Sequence, residues 1–152
     1  MVDGQARVTN DTPPFESSFE ALEEGQSVEQ SVTISEADLS AFAALSQDSA
    51  RIHHDGDFAR SKGYDAPIVY GFQVGIYFSR LLGMYLPGEN SVIQSVELRY
   101  LRPVLVGEQV TFKVTVRKVV GAVGAVVLDL AALKGEEPAV TGKAQCVFPQ
   151  SR

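Results

Sequence analysis

The sequence predicts an α+β domain in which an antiparallel sheet is wrapped around a central buried α-helix. Two observations predict this class. The segment GFQVGIYFSRLLGMY, residues 71–85, is apolar on nearly all sides, which is typical of a buried helix. Beyond Pro87 the chain reads as long strands of alternating polarity. One early strand and several late ones suit a single curled sheet.

The domain organisation follows from length and from the N-terminal composition. A chain of 152 residues has the size of one domain. Residues 1–17 show no hydrophobic period and contain two successive prolines, so we expect a flexible or surface-packed N-terminal arm. Residues 18–152 are expected to form the single domain.

The first elements of that domain are a strand and a helix. The segment QSVEQSVTI predicts a short strand. Ser35 is expected to cap the following helix, with Asp38 three residues later completing a weak capping box. Leu39, Phe42 and Ala43 are expected to form the buried stripe of this helix.

Residues 47–70 are polar and irregular, with one helical turn expected at 57–62 and Asp55 placed to cap it. The apolar helix that follows is shorter than the roughly 20 residues that span a bilayer. We therefore expect no membrane partner.

The late strands are predicted from period-two alternation. In the first of them, Val92, Val96, Leu98 and Tyr100 are expected to line one side. The next strand has the cleanest pattern, and its inward positions would be Val110, Phe112, Val114 and Val116. Two more strands are expected near 122–133 and 138–148.

Composition excludes several function classes. A net charge of −6 and a pI near 4.9 argue against nucleic-acid binding, which depends on Lys and Arg at phosphates. No secretory signal is visible, so we expect a cytoplasmic location. The single cysteine, Cys146, alternates with Ala144 and reads as a small core residue. Since the only two histidines are adjacent, no metal-ligand spacing is present, and we expect neither a metal nor a bound redox cofactor.

Candidate catalytic residues lie in the irregular segment. Asp48 and His53 are five residues apart, and a carboxylate beside an imidazole can activate a water near neutral pH. The same spacing also suits a loop aspartate beside a packed histidine. Gly71 opens the apolar helix, where free backbone N–H groups can hold a negative oxygen. A small residue there equally suits close packing of the helix on the sheet.

The segments FAALSQDSARIHHDGDFA, APIVYGF and LPGENSVIQSVELRYLRPVLVGEQV together resemble the MaoC-like family, which includes the (R)-specific enoyl-CoA hydratases. The family pattern is an aspartate, any residue, Asn-Pro, an aliphatic residue and a histidine, followed downstream by Pro-Ile-Val-His-Gly. Asp48, Ile52, His53 and Gly71 match it. The resemblance implies a hot-dog fold, a homodimer or higher homo-oligomer, and an acyl thioester substrate carried by CoA or a carrier protein.

The resemblance also implies a reaction. Asp48 and His53 would position and deprotonate a water for the β-carbon of a trans-2-enoyl thioester, and one of the pair would return a proton to the α-carbon. The backbone N–H of Gly71 would bind the thioester oxygen. The product is an (R)-3-hydroxyacyl thioester, and the reverse reaction is dehydration.

This sequence departs from the family pattern at three positions, where Ala50, Arg51 and Tyr70 replace its asparagine, proline and histidine. We expect Arg51 and Tyr70, together with Ser79, to be supporting or substrate-contacting residues. One hypothesis is that Arg51 holds a second carboxylate, so that the acyl group is polar. Ser79, eight residues past Gly71, matches a serine of the family and is expected to be buried, bonding either to Asp48 or to its own helix.

Two alternatives remain open from sequence. A hot-dog thioesterase would aim the activated water at the carbonyl carbon instead. A degenerate module would bind an acyl thioester without converting it, and the replaced pair at 50–51 keeps that reading open.

Overall fold

A computed structural model of the protein describes residues 4–149. Within them, six strands form one sheet in the order β1-β2-β4-β5-β6-β3. All neighbours are antiparallel except the parallel β1–β2 pair. The strands are β1 (Gln5–Arg7), β2 (Ser27–Thr33), β3 (Val92–Tyr100), β4 (Gln109–Val120), β5 (Ala125–Lys134) and β6 (Glu137–Val147).

Three α-helices accompany the sheet: α1 (Glu36–Ser46), α2 (Gly56–Ser61) and α3 (Gly71–Met84). Helix α3 lies across the sheet and contacts β2, β3 and β4. Its inner face buries Val74, Phe78, Leu81 and Leu82 against the sheet. The expected α+β, hot-dog arrangement is confirmed. No helix in residues 4–149 has the length and apolar character needed to cross a membrane.

Several local predictions are confirmed because they depend on nearby residues alone. Ser35 accepts a hydrogen bond from the Asp38 backbone, and the Asp38 carboxylate accepts one from the Ser35 backbone, which completes the capping box. Asp55 caps α2 by accepting from the backbone N–H of Phe58. The four inward positions of β4 are all buried.

The expected burial of α3 on nearly all sides is wrong, and the residues expected to line one side of β3 are mostly exposed. Val92, Val96 and Tyr100 are exposed on β3, while Phe72 and Ile76 on α3 are 86% and 51% exposed. The cause is topological, because β3 is the last strand of the sheet and, among the described strands, pairs with β6 alone, so its other edge is open. These exposed residues lie on two elements that contact each other, and Phe72, Ile76, Val92, Val96 and Tyr100 are called here the continuous apolar face.

The N-terminal segment is packed where the structure describes it. Residues 5–7 pair with β2, and Val8 is buried. The guanidinium of Arg80 donates to the carbonyl oxygens of Thr9 and Asn10, each at 3.0 Å. Residues 1–3 of the predicted arm and 150–152 of the predicted domain lie outside the described residues, so the boundary between arm and domain stays a prediction.

Candidate active site

The segment after α1 is held by backbone turns. Helix α1 ends at Gln47, which adopts a left-handed φ of 57° and redirects the chain. The Asp48 carboxylate then accepts from the backbone N–H of Ala50 at 3.0 Å, an aspartate turn. A short 3₁₀ turn over Arg51–His53 follows. These turns place the Asp48 side chain at the surface and direct His53 inward.

The orientation of His53 is set by one hydrogen bond. Its Nδ1 lies 2.6 Å from the carbonyl oxygen of Ile68. Since a carbonyl oxygen only accepts, Nδ1 carries the proton of this bond. In the neutral ring, Nε2 is therefore the unprotonated nitrogen, able to accept a proton.

Two clefts meet at His53. The first, called here the Asp48 cleft, has a volume of about 490 Å³ and is lined by Asp48, His53, Tyr70 and residues of α1. The second, the Gly71 cleft, has a volume of about 320 Å³ and is lined by His53, Gly71, Tyr100 and the chain after β3. The structure thus brings Asp48 and His53 to one cleft and His53 and Gly71 to the other.

Gly71 is the first residue of α3, and no side chain caps this helix start. The Tyr100 hydroxyl donates to the Gly71 carbonyl oxygen at 2.7 Å. A Cβ added at Gly71 would lie 3.3 Å from the Tyr100 ring, so packing against β3 alone favours glycine here. Gly71 is also exposed in its cleft, which leaves its backbone open to a ligand. Packing and a close approach of a ligand would each favour glycine at this position, and the oxyanion role of Gly71 stays a prediction.

Ser79 and Arg51 occupy other surroundings than expected. Ser79 is exposed on the outer side of α3, so its expected burial is wrong, and within residues 4–149 it makes no hydrogen bond to Asp48. Both Nε and a terminal nitrogen of Arg51 donate to Asp55, at 3.1 and 2.7 Å. The Arg51 guanidinium also lies 4.4 Å from the centre of the Phe58 ring and lines neither cleft. Its role toward a substrate carboxylate stays a prediction.

Two tyrosines contact the candidate site more closely than the sequence indicates. Tyr70, expected to be a supporting or substrate-contacting residue, is buried and touches both Asp48 and His53. Tyr100, expected only to line one side of β3, forms a wall of the Gly71 cleft. Its alternation with Leu98 places it on the side of β3 that faces α3, which was the available signal.

Comparison with known proteins agrees with this geometry. The model of the MaoC like domain family matches residues 18–135, most of the chain. The chain belongs to the MaoC-like family. The match spans Asp48, His53 and Gly71 and ends in the turn between β5 and β6, so all the residues lining the two clefts except Val140 fall inside the family domain.

Individual relatives of this MaoC-like protein are hydratases by name. The (R)-specific enoyl-CoA hydratase of Aeromonas caviae is 40% identical over 99 residues, which cover 65% of this chain and 74% of that enzyme. The enzyme of the same name from Rhodospirillum rubrum is 37% identical over 98 residues, covering 64% and 68%. A solved structure of the A. caviae (R)-hydratase superposes with a TM-score of 0.82 at 36% identity, covering 86% of this chain and 99% of the other.

Proposed function

We propose that this MaoC-like protein catalyses the reversible hydration of trans-2-enoyl thioesters to (R)-3-hydroxyacyl thioesters. The observation that carries the proposal is the position of His53, whose Nδ1 is bound to Ile68 and which borders both the Asp48 cleft and the Gly71 cleft. An acid/base pair and a helix N-terminus then flank one point, where the reacting carbons would lie. The names of its relatives support the same reaction.

In the forward direction, a water is held between the Asp48 carboxylate and Nε2 of His53, and the pair removes one proton from it. The oxygen bonds to the β-carbon while the C=C electron pair shifts toward the thioester. The thioester oxygen gains enolate character and accepts the Gly71 N–H at the start of α3. One of the pair then returns the proton to the α-carbon, so that the elements of water are added across the double bond.

The chemistry uses protein groups throughout. Base, acid and oxyanion donor are supplied by Asp48, His53 and the Gly71 backbone, and water addition transfers no electrons to an acceptor. We propose that neither a metal nor a redox cofactor is required.

We also propose that the working form is a homodimer joined along the continuous apolar face of α3 and β3. Large apolar side chains that are exposed together on neighbouring elements often mark an interaction surface. As the last strand of the sheet, β3 can pair antiparallel with β3 of a second copy about a two-fold axis. Gly71 and Tyr100 lie at the border of this face, so the second copy would help to enclose the Gly71 cleft.

Incubation with crotonyl-CoA tests the reaction. We expect the enoyl absorbance to fall without release of free thiol, and chiral analysis to give the (R)-3-hydroxy product. Thiol release with the enoyl band intact would identify a thioesterase and overturn the proposal. Turnover by an Asp48→Asn/His53→Gln double variant equal to that of the parent, across enoyl and 3-hydroxyacyl thioesters, would instead indicate a binding module.

A further inference from the structure

Tyr70 is enclosed between two aromatic side chains. It precedes α3, is 3% exposed, and stacks on the imidazole of His53 with ring centres 3.8 Å apart and planes 25° from parallel. On α1, Phe42 contacts the same ring, with centres 4.9 Å apart. The stacked pair therefore has little room to rotate, and the plane of the His53 ring follows that of Tyr70.

The hydroxyl of Tyr70 reaches the other member of the candidate pair. It donates to the backbone carbonyl oxygen of Asp48 at 2.9 Å, across 22 residues of sequence. Burial, and secondarily the negative charge of Asp48, raises the pKa of this hydroxyl, so it remains a donor throughout the neutral range. One side chain thus contacts both Asp48 and His53.

The segment between those two residues needs such a contact. Ala50 has φ −60° and ψ 125°, an extended conformation that alanine does not enforce. Arg51 begins the 3₁₀ turn without a proline to restrict its φ. The Asp48 turn and the exposed Arg51–Asp55 pair are local to the segment, whereas the Tyr70 hydroxyl ties it to the start of α3.

We propose that Tyr70 is a positioning residue for this site, its ring setting the plane of the His53 imidazole and its hydroxyl setting the place of the Asp48 segment. The expected effect of Tyr70 on turnover rests on the proposed hydratase function. Its expected effect on the orientation of His53 rests on geometry alone. The two consequences are tested separately.

The structural consequence is read by proton NMR without substrate. The chain has two histidines, so their two Cε1–H signals can be followed, and His53→Gln identifies which signal belongs to His53. Stacking on Tyr70 should shift the His53 signal upfield of the His54 signal. Tyr70→Phe should keep that shift and Tyr70→Leu should remove it, with thermal unfolding confirming that each variant is folded. An unchanged shift in folded Tyr70→Leu would overturn the role of the ring.

The kinetic consequence is read on an enoyl thioester. Tyr70→Phe should lower kcat about tenfold and change KM less than twofold. The variant displaces Asp48 relative to His53, while the groups that bind the substrate stay in place. Tyr64→Phe is the matched control, since Tyr64 lines neither cleft and should leave both constants unchanged. A kcat for Tyr70→Phe equal to that of the parent would overturn the role of the hydroxyl.

A rescue variant separates positioning from a general loss of stability. Ala50 already has the conformation that a residue before proline adopts, and Arg51 is the first residue of its 3₁₀ turn, where proline is tolerated. Arg51→Pro should therefore stiffen the segment and recover most of the kcat lost in Tyr70→Phe. Arg51→Ala also removes the pair with Asp55 but adds no constraint, and should give no recovery. Equal behaviour of the two double variants would count against the proposal.

If the parent protein shows no hydratase activity, the proposed function fails and the NMR result still decides whether Tyr70 orients His53.

Discussion

The hydrogen bond from Nδ1 of His53 to the carbonyl oxygen of Ile68, 2.6 Å in length, leaves Nε2 as the basic nitrogen of the ring. Ile68 precedes α3 by three residues, so the helix that presents Gly71 and the strand-like segment that orients His53 are continuous in the chain. The orientation of the base and the position of the oxyanion donor are therefore linked through a few residues of backbone.

His53→Gln and Asp48→Asn should each lower kcat for crotonyl-CoA hydration by about 10²–10⁴-fold, because each removes a group that transfers or holds the proton of the attacking water. Loss of enoyl absorbance measures the rate. Both side chains are at least partly exposed, so the melting temperature should change little. His54→Gln is the control, and a loss of rate there equal to that of His53→Gln would contradict the assignment.

Gly71→Ala should lower kcat about tenfold or more, whereas Gly75→Ala should have a much smaller effect. An added Cβ meets a side chain of β3 at 3.3 Å at both positions, the Tyr100 ring at Gly71 and a Leu98 methyl at Gly75. The steric test is thus matched, and only Gly71 presents its backbone to the cleft with His53. Steady-state kinetics of the two variants measure the difference, and equal losses would argue for packing as the sole role of Gly71.

A Phe72→Asp/Ile76→Asp double variant should be monomeric. Both side chains lie on the continuous apolar face, and charges there would be buried without partners in a dimer. Light scattering during size-exclusion chromatography should give the 16.4 kDa mass of one chain, against twice that mass for the parent. Leu45→Asp is the control, because Leu45 is 84% exposed but lies on α1. A parent that already runs as a monomer would refute the dimer.

Arg51→Ala should leave the ratio of rates on mono- and dicarboxylic acyl thioesters unchanged. The guanidinium is held by Asp55 and lies over Phe58, outside both clefts. The pair is solvent-exposed, so its loss should cost no more than about 1 kcal/mol of unfolding free energy. A selective loss of the dicarboxylic substrate would instead support the hypothesis that Arg51 binds a second carboxylate.

The stability of the fold should decline between about pH 9 and pH 11, in part through Cys146. Burial raises the pKa of its thiol to about 11, above the roughly 8.5 of a free thiol. A raised folded-state pKa means that this contribution is complete below the unfolded pKa and is lost as pH rises through the folded one. Urea unfolding measured across this pH range should show that the free energy of unfolding falls less steeply with pH for Cys146→Ala than for the parent. Parallel declines would contradict the expected shift.

Elements set by local patterns could be predicted from the sequence, and elements set by sheet order could not. The alternation in β4 and the capping box at Ser35 depend on neighbours within a few residues, and both are confirmed. The alternation in β3 is similar, but its burial depends on which strands lie beside it. Because β3 pairs only with β6 among the described strands, its apolar side remains open.

The same division holds at the site. The motif residues Asp48, His53 and Gly71 could be named from a family likeness, because the pattern that carries it consists of neighbouring residues, whereas the spacing of Asp48 and His53 alone left two interpretations open. The contacts of Tyr70 depend on how α3 meets the end of α1, so no local pattern shows them. Likewise, the engagement of Arg51 by Asp55 follows from the 3₁₀ turn that brings their side chains together.

The two outer strands of the sheet are unequal, and this asymmetry limits how many copies can associate edge to edge. At one end, β1 has three residues, Gln5 and Arg7 are exposed, and Arg7 forms an ion pair with Glu29 of β2. Such a short and charged edge is a poor template for another strand. At the other end, β3 offers nine residues and an apolar side. The proposed pairing through β3 would use the only long edge that each copy presents among its described strands, so edge-to-edge association of this kind would end at two chains.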